Sequence, residues 1–378
     1  MEYIALKDVC RINMGQSPES SSYNERGDGI PFFQGNADFG ERYPVTRIWC
    51  NKPTKIANAG DILISVRAPI GALNYAREVC CIGRGLAAIT PDSSKFSTEF
   101  IYWLLKGKNA ELNSKGTGST FKAIGRKVLE ETMIPDYGFE QQHACAVNLE
   151  KVYAIIQMRR QELLKLDELI KARFVEMFGN PNDEVLRWPE VNIGEHCFVT
   201  KLAGFEYTNY IHYEDSGDVV MVKAQNVKHG SLNEKDLSYI SNEVSDSLPR
   251  SQLAPGDVVM TYVGANIGDV AIIDSKYKYH LAPNVAKIRP DRNVYNSVFF
   301  MYMLMMKTDY IMRNSSDTAK AALGMERIRK LKVFLPPVKE QEQFAAFVAQ
   351  VDKSKAQVQK ALDETQLLFD SLMQEYFG

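Results

Sequence analysis

The chain has no hydrophobic run long enough to cross a bilayer. Its longest, VFFMYMLMM from Val298 to Met306, falls far short of the roughly 20 apolar residues a helical span needs. The opening MEYIALKDVC has neither a basic n-region nor an apolar core, so no secretion signal is read there. A cytoplasmic location with no membrane partner is expected. There is no excess of charge of either sign: 45 Lys and Arg face 47 Asp and Glu, a formal net charge of −2. That balance neither supports nor opposes a polyanionic partner, because what matters is where the basic residues cluster. No CxxC pair occurs among the six cysteines, Cys10, Cys50, Cys80, Cys81, Cys145 and Cys197. They read as reduced, mostly buried thiols, and a metal or redox site is not expected.

Catalytic motifs are missing as well. The nearest approach to a P-loop, GTGSTFKAIGRK from Gly116 to Lys127, lacks the closing Gly-Lys-Ser/Thr that would hold a nucleoside phosphate. LPPV, Leu335 to Val338, has the prolines of an amino-methyltransferase motif but neither flanking group. The five histidines, His143, His196, His212, His229 and His280, show no zincin spacing and no HxE pattern, and GxSxG is absent. No catalytic residue, metal ligand or cofactor is therefore assigned to this chain. Asp61 and Asp257 each follow a glycine and are read as turn formers ahead of strands, not as paired acids.

What is present is an internal duplication. GDILISVRAPIG opens at Gly60 and GDVVMTYVGANIG at Gly256, an offset of 196; the closing glycines, Gly71 and Gly268, are offset by 197. GLAAITP ends at Pro91 and NVAKIRP at Pro290. FIYWLL, Phe100 to Leu105, answers VFFMYMLMM. GSTFKAIG, with Thr120 and Lys122, answers SDTAKAALG, with Thr318 and Lys320, at an offset of 198. Ile134-Pro135 answers Leu335-Pro336, and LIKARFVEMFG ending at Gly179 answers LFDSLMQEYFG ending at Gly378. One such match is cheap; a whole series in the same order is the mark of a repeat.

Each copy divides into two parts. The first mixes short β-rich runs, ILISV and VVMTYV, with turn residues, and includes FIYWLL and VFFMYMLMM as buried helices. The second part, Phe139 to Phe178 and Lys339 to Phe377, has no glycine or proline and is rich in good helix formers. Apolar residues at Val351, Val358, Leu362, Phe369, Leu372 and Tyr376, with Thr365 as a weak member, step by sevens, fours and threes. Leu163, Leu166, Ile170 and Met177 match them in the first copy, and Gly179-Asn180-Pro181 stops that helix. The expected fold is two duplicated α/β (α+β) domains, 1–138 and 181–338, separated by two long antiparallel coiled-coil helices, 139–180 and 339–378. The helices bury their stripes on one another about an approximate two-fold axis.

The recurring polar groups suit a polyanion and base edges. Lys106 to Lys127 holds Lys106, Lys108, Lys115, Lys122, Arg126 and Lys127 against Glu111, around Gly116, Thr117, Gly118, Ser119 and Thr120. Hydroxyls and backbone N–H groups in such a loop fit phosphate. The second copy has Lys320, Arg327, Arg329, Lys330 and Lys332 against Glu326. A solvated helix face is the plainer reading of either stretch; recurrence favours DNA. PFFQGNADFG places Gln34 and Asn36 after a strand, and MVKAQNVKHG places Lys223, Gln225 and Asn226 alike. Gln and Asn pair with adenine, and Arg or Lys with guanine. Arg67, Arg84, Tyr262, Asn266, Asn284 and Lys287 are further candidates.

In this order of parts the whole chain resembles the specificity subunit of type I restriction–modification systems. The resemblance rests on the two Gly-Asp strand blocks, on GSTFKAI and SDTAKAAL leading to Ile134-Pro135 and Leu335-Pro336-Pro337, and on the helix openings FEQQHACAV and KEQEQFAAFV. LDELIKARFVEMFGNP is the most specific single motif. The resemblance implies that each globular part is a target-recognition domain reading one half of a bipartite site in double-stranded DNA. It implies that the helices set the spacer and dock two methylation subunits, which use S-adenosylmethionine. Restriction subunits that use ATP and magnesium would join that core. It transfers no base-reading residue by position. The alternative is a non-catalytic scaffold, two interaction modules on a coiled coil.

Overall fold

The computed structural model describes residues 2–118, 122–315 and 322–378. The chain forms two compact units: unit 1 is Met1–Gln161 with Gln359–Gly378, and unit 2 is Glu162–Val358. The long helices, Phe139–Phe178 and Val338–Phe377, each contribute a stretch to both units.

In unit 1 an antiparallel sheet runs Cys10–Met14, Leu86–Pro91, Ile62–Ser65, Leu73–Tyr75, with Ile89 opposite both Ile12 and Ile62. A second sheet joins Ile30–Phe33 in parallel to Cys80–Ile82 and is completed by Tyr23–Asn24, Trp49–Cys50 and Ile56–Ala57. Tyr3–Ala5 pairs with Met133–Pro135. The helix Thr98–Gly107 starts where the Ser97 hydroxyl accepts from Phe100 N, and it buries every side chain from Phe100 to Leu105.

Unit 2 repeats the plan. Its sheet runs Cys197–Lys201, Val285–Pro290, Val258–Thr261, Val270–Ile272, with Ile288 opposite Val199 and Val258. Val219–Val222 lies parallel to Lys278–Leu281, flanked by Ser238–Ile240 and Gln252–Leu253. Glu190–Asn192 pairs with Lys332–Phe334, and Asn296 caps the helix Ser297–Met306. The duplication read from sequence is thus a duplication of strand order and register.

The Gly-Asp pairs are turn formers. Gly60 and Gly256 sit at φ +86° and +88°, where a side chain is strained. Each aspartate is buried and accepts a backbone N–H three residues back, Asn58 for Asp61 (2.7 Å) and Ala254 for Asp257 (2.8 Å). The other Asp61 oxygen accepts from the Thr90 hydroxyl, and the Arg289 guanidinium forks onto both Asp257 oxygens, so among the described residues neither aspartate joins an acid pair.

The opening of each long helix is anchored by a buried glutamine. Gln142 Oε1 accepts from Ser97 N (2.9 Å), and its Nε2 donates to Lys95 O (2.9 Å) and Tyr137 O (2.7 Å). Gln341 does the same with Asn296 N (2.8 Å), Val294 O (3.0 Å) and Pro336 O (2.8 Å). Within each unit the two helix stretches run antiparallel. In unit 1 Asn148 meets Tyr376, while Arg159 reaches Ala361 O and Thr365. Thr365 interrupts the apolar stripe because it receives that guanidinium. In unit 2 Lys355 pairs with Asp167 (2.6 Å), and Phe174 and Phe178 pack on Phe344. Five cysteines are buried and Cys197 half-buried; burial pushes the thiols of Cys10, Cys80 and Cys197 up to about 12. Among the described residues no helix is long and apolar enough to cross a membrane.

Candidate nucleic-acid interface

In unit 1 the candidate segments meet at one end of the main sheet through a row of backbone hydrogen bonds. Gly85 N donates to Gln34 O (3.2 Å), Val66 N to Gly85 O (2.9 Å), and Ile124 N to Val66 O (2.9 Å). Ala68 N adds a bond to Lys122 O (3.0 Å), and Thr117 and Ala123 exchange a pair (3.0 and 2.9 Å). Gln34, Arg67, Arg84, Thr117 and Lys122 are therefore neighbours on this edge, and all are exposed. Asn36 is half-buried in the following turn, where the Asp38 carboxylate accepts from Gln34 N (2.7 Å). Lys115 is exposed and paired with Glu111 (2.6 Å). Ser119 and Thr120 lie outside the described residues.

Unit 2 builds the same edge. Ala282 N donates to Val222 O (3.2 Å), Tyr262 N to Asn284 O (3.0 Å), and Leu323 N to Tyr262 O (2.8 Å). This gathers Lys223, Tyr262 and Asn284. Lys223 is tied down, its ammonium donating to Asp236 O and Ser238 Oγ (both 2.9 Å). Gln225 and Asn266 are exposed in turns beside it, and Lys320 lies outside the described residues.

Two candidates turn inward. Lys287 is 1 % exposed, and its ammonium donates to Arg250 O (2.6 Å) and Gln252 O (2.8 Å). Burial, helped by the Arg289 charge, pushes its pKa down to about 8. Asn226 is 1 % exposed; its Oδ1 accepts from Lys223 N and its Nδ2 donates to Asn233 O and Lys235 O. Both spend their polar atoms holding turns and present nothing to a base. Gln34 is exposed but occupied: its carboxamide faces the Ser17 hydroxyl, with Nε2 at 2.9 Å and Oε1 at 3.2 Å.

The basic run from Lys106 to Lys127 is not one patch. Lys106 packs over Tyr153 (4.0 Å) and Trp103 (5.0 Å), and burial lowers its pKa to about 8. Lys108 pairs with Glu111 and Lys127 with Glu131. Arg126 reaches Ile12 O as Arg329 reaches Val199 O in unit 2, so their recurrence has an architectural cause. Two residues of the edges gave no signal in sequence. Lys201, at the end of its strand, holds its ammonium 5.4 Å over the Tyr262 ring. Ser17 locks Gln34. Both lay outside the matched blocks, Ser17 in the loop after Cys10–Met14 and Lys201 at the end of Cys197–Lys201, which hid them.

At the opposite end of Ile62–Ser65, unit 1 carries an open groove of about 1320 Å³ bordered by Arg42, Arg77, His143 and Glu150. The Arg42 guanidinium pairs with Glu150 and lies 5.1–5.8 Å from the rings of Tyr75, Tyr102, Trp103 and Tyr153. That box fastens the segment after Asn36 to the first long helix and is filled by the chain's own cation.

The two copies are thus one duplicated α/β unit, each with a polar, cation-bearing edge. The sequence profile described as type I restriction modification DNA specificity domain matches residues 1–168 and 187–365, and the chain belongs to that family. It is 43% identical over 161 residues to a chain described as the specificity subunit of the type I restriction enzyme MjaX of Methanocaldococcus jannaschii; the match covers 43% of this chain and 38% of that one. It is 21% identical over 410 residues to the EcoBI specificity subunit of Escherichia coli, covering 99% of this chain and 85% of that one. The solved S subunit from M. genitalium shares the fold, with TM-score 0.60 at 16% identity over 100% of this chain and 96% of that one.

Proposed function

We propose that the chain is the sequence-reading, non-catalytic subunit of a type I restriction–modification complex, each unit reading one half of a bipartite site in double-stranded DNA. The observation that carries this reading is the edge built twice. The same backbone bonds recur, Val66 to Gly85 and Tyr262 to Asn284, while the side chains they display differ. Two copies of one frame with different exposed groups suit two different half-sites. The long helices, continuous for forty residues each, set the unread spacer and dock two methylation subunits that carry S-adenosylmethionine. Restriction subunits bring ATP and magnesium chemistry, and the assembly works in the cytoplasm.

Mapping methylated adenines in cells with and without the chain tests this. The expected result is a bipartite motif that vanishes with the chain. Replacing residues 1–137 with another such domain should alter one half of the motif; alteration of both halves would refute the assignment of one half-site per unit. Binding that ignored salt would favour the interaction scaffold, since release of counterions from DNA makes affinity fall steeply with salt.

A further inference from the structure

The turn Gly83-Arg84-Gly85 of unit 1 and the turn Ala282-Pro283-Asn284 of unit 2 occupy the same place in their edges. Each receives a strand on one side, Gly83 N to Phe33 O (2.8 Å) and Ala282 N to Val222 O (3.2 Å). Each accepts on the other, Val66 N to Gly85 O (2.9 Å) and Tyr262 N to Asn284 O (3.0 Å). In unit 1 the turn is held further by Gly85 N to Gln34 O (3.2 Å), Leu86 N to Gly83 O (3.0 Å) and Arg84 N to Ser17 Oγ (3.3 Å). The glycines make that closeness attainable: a Cβ on Gly83 would fall 2.7 Å from Gln34 Oε1, and one on Gly85 2.5 Å from Gln34 O.

Against this fixed backbone the displayed side chains are unspent. Arg84 is exposed, and its guanidinium makes no hydrogen bond or ion pair among the described residues, whereas Arg42, Arg126, Arg289 and Arg329 are all engaged. Asn284 is exposed at φ +69°, a left-handed conformation that asparagine takes more readily than other residues with side chains, and its carboxamide likewise has no partner among the described residues. Two exposed polar side chains on a turn held by the backbone, neither with a partner among the described residues, are available to a ligand.

We propose that this turn is a base-reading element in both units. Arg84 donates its fork to O6 and N7 of a guanine in one half-site, and Asn284 pairs with N6 and N7 of an adenine in the other. The Ser17–Gln34 contact serves unit 1 by holding the turn. This rests on the sequence-reading function proposed above.

The test uses the chain assembled with its methylation subunits on a pool of duplexes with randomised bases, the retained duplexes being sequenced. Arg84→Ala should flatten the preference at one G·C pair of a single half-site by about tenfold or more. Asn284→Gly, which keeps the positive φ, should flatten one A·T pair of the other half-site. Arg84→Gln should shift the first position from guanine toward adenine, a gain that misfolding does not produce. Unchanged base preferences, or an even loss of affinity across all sequences, would overturn the proposal and leave Arg84 a phosphate contact. A wild-type complex that selected no sequence would overturn the sequence-reading function itself, and this proposal with it.

Discussion

Replacing Gln142 or Gln341 by leucine tests the claim that a buried amide ties each globular part to its long helix. Both side chains are 0 % exposed and bond three backbone groups from two separate segments. Leucine roughly preserves volume, so the cavity contribution is small, but one N–H and two carbonyls lose their partner where water does not reach. At about 1–3 kcal/mol per stranded group, less whatever relaxation recovers, each variant should lose about 3–5 kcal/mol. That is a large share of a typical stability. The glutamate variant should be worse at neutral pH than at pH 4. Its carboxylate would face two carbonyls, and protonation restores one donor. Urea unfolding followed by tryptophan emission is suited to this: Trp49 and Trp103 lie in unit 1 and Trp188 in unit 2, and circular dichroism reports helix loss. A loss under about 1 kcal/mol in both leucine variants would show that the amides are incidental and the anchoring lies in the apolar contacts.

Three further outcomes are expected. Arg42→Ala should cost about 2 kcal/mol and Arg42→Lys nearly as much, because a compact ammonium cannot lie flat among four rings; the same urea assay measures both. Lys122→Ala should weaken duplex binding by the methylation complex evenly across sequences and reduce the slope of log affinity against log salt by about one, read by titration at several salt concentrations. Lys287, depressed to about 8 in the folded unit, is protonated in the unfolded chain up to the ordinary lysine range. The unfolded state therefore binds the extra proton between those values, and folded stability rises with pH across that window. The buried thiols, raised when folded, act oppositely above their ordinary value, so the comparison is wild type against Lys287→Met at pH 7.5 and 9.5. Wild type should gain on the variant at the higher pH.

Much of the fold was legible because its signals are local. The Gly-Asp turns announce themselves by the φ they require, and the long helices by forty residues without glycine or proline. What was hidden is non-local. The parallel pairings Phe32 with Cys81 and Val220 with Tyr279 join strands of three or four residues separated by about fifty others. Alternation gave no warning that Lys287 points inward, because the carbonyls that hold it belong to Arg250 and Gln252. Between Gln141 and Gln142, periodicity did not choose the anchor; Lys95 O and Tyr137 O do. The basic run misled for a related reason. Lysines and arginines clustered in sequence were shared out among a carboxylate, an aromatic box and a strand carbonyl.

The same reasoning explains why reading residues resist prediction while their frame does not. A group that holds the fold, such as Asp257 or Gln341, is constrained by atoms of its own chain, and the repeat preserves it as Asp61 or Gln142. A group that reads a base is free of the fold by necessity. The side chains of Arg84 and Asn284 bond to nothing among the described residues, so the fold does not dictate them, and the two copies are at liberty to differ there. Divergence at a site of shared hydrogen-bond register is thus the signal, and it becomes visible once that register, rather than residue identity, aligns the copies. On that criterion Pro283 opposite Arg84 marks the place where the second unit carries no cation, and the proposal above moves its reading group to the neighbouring Asn284.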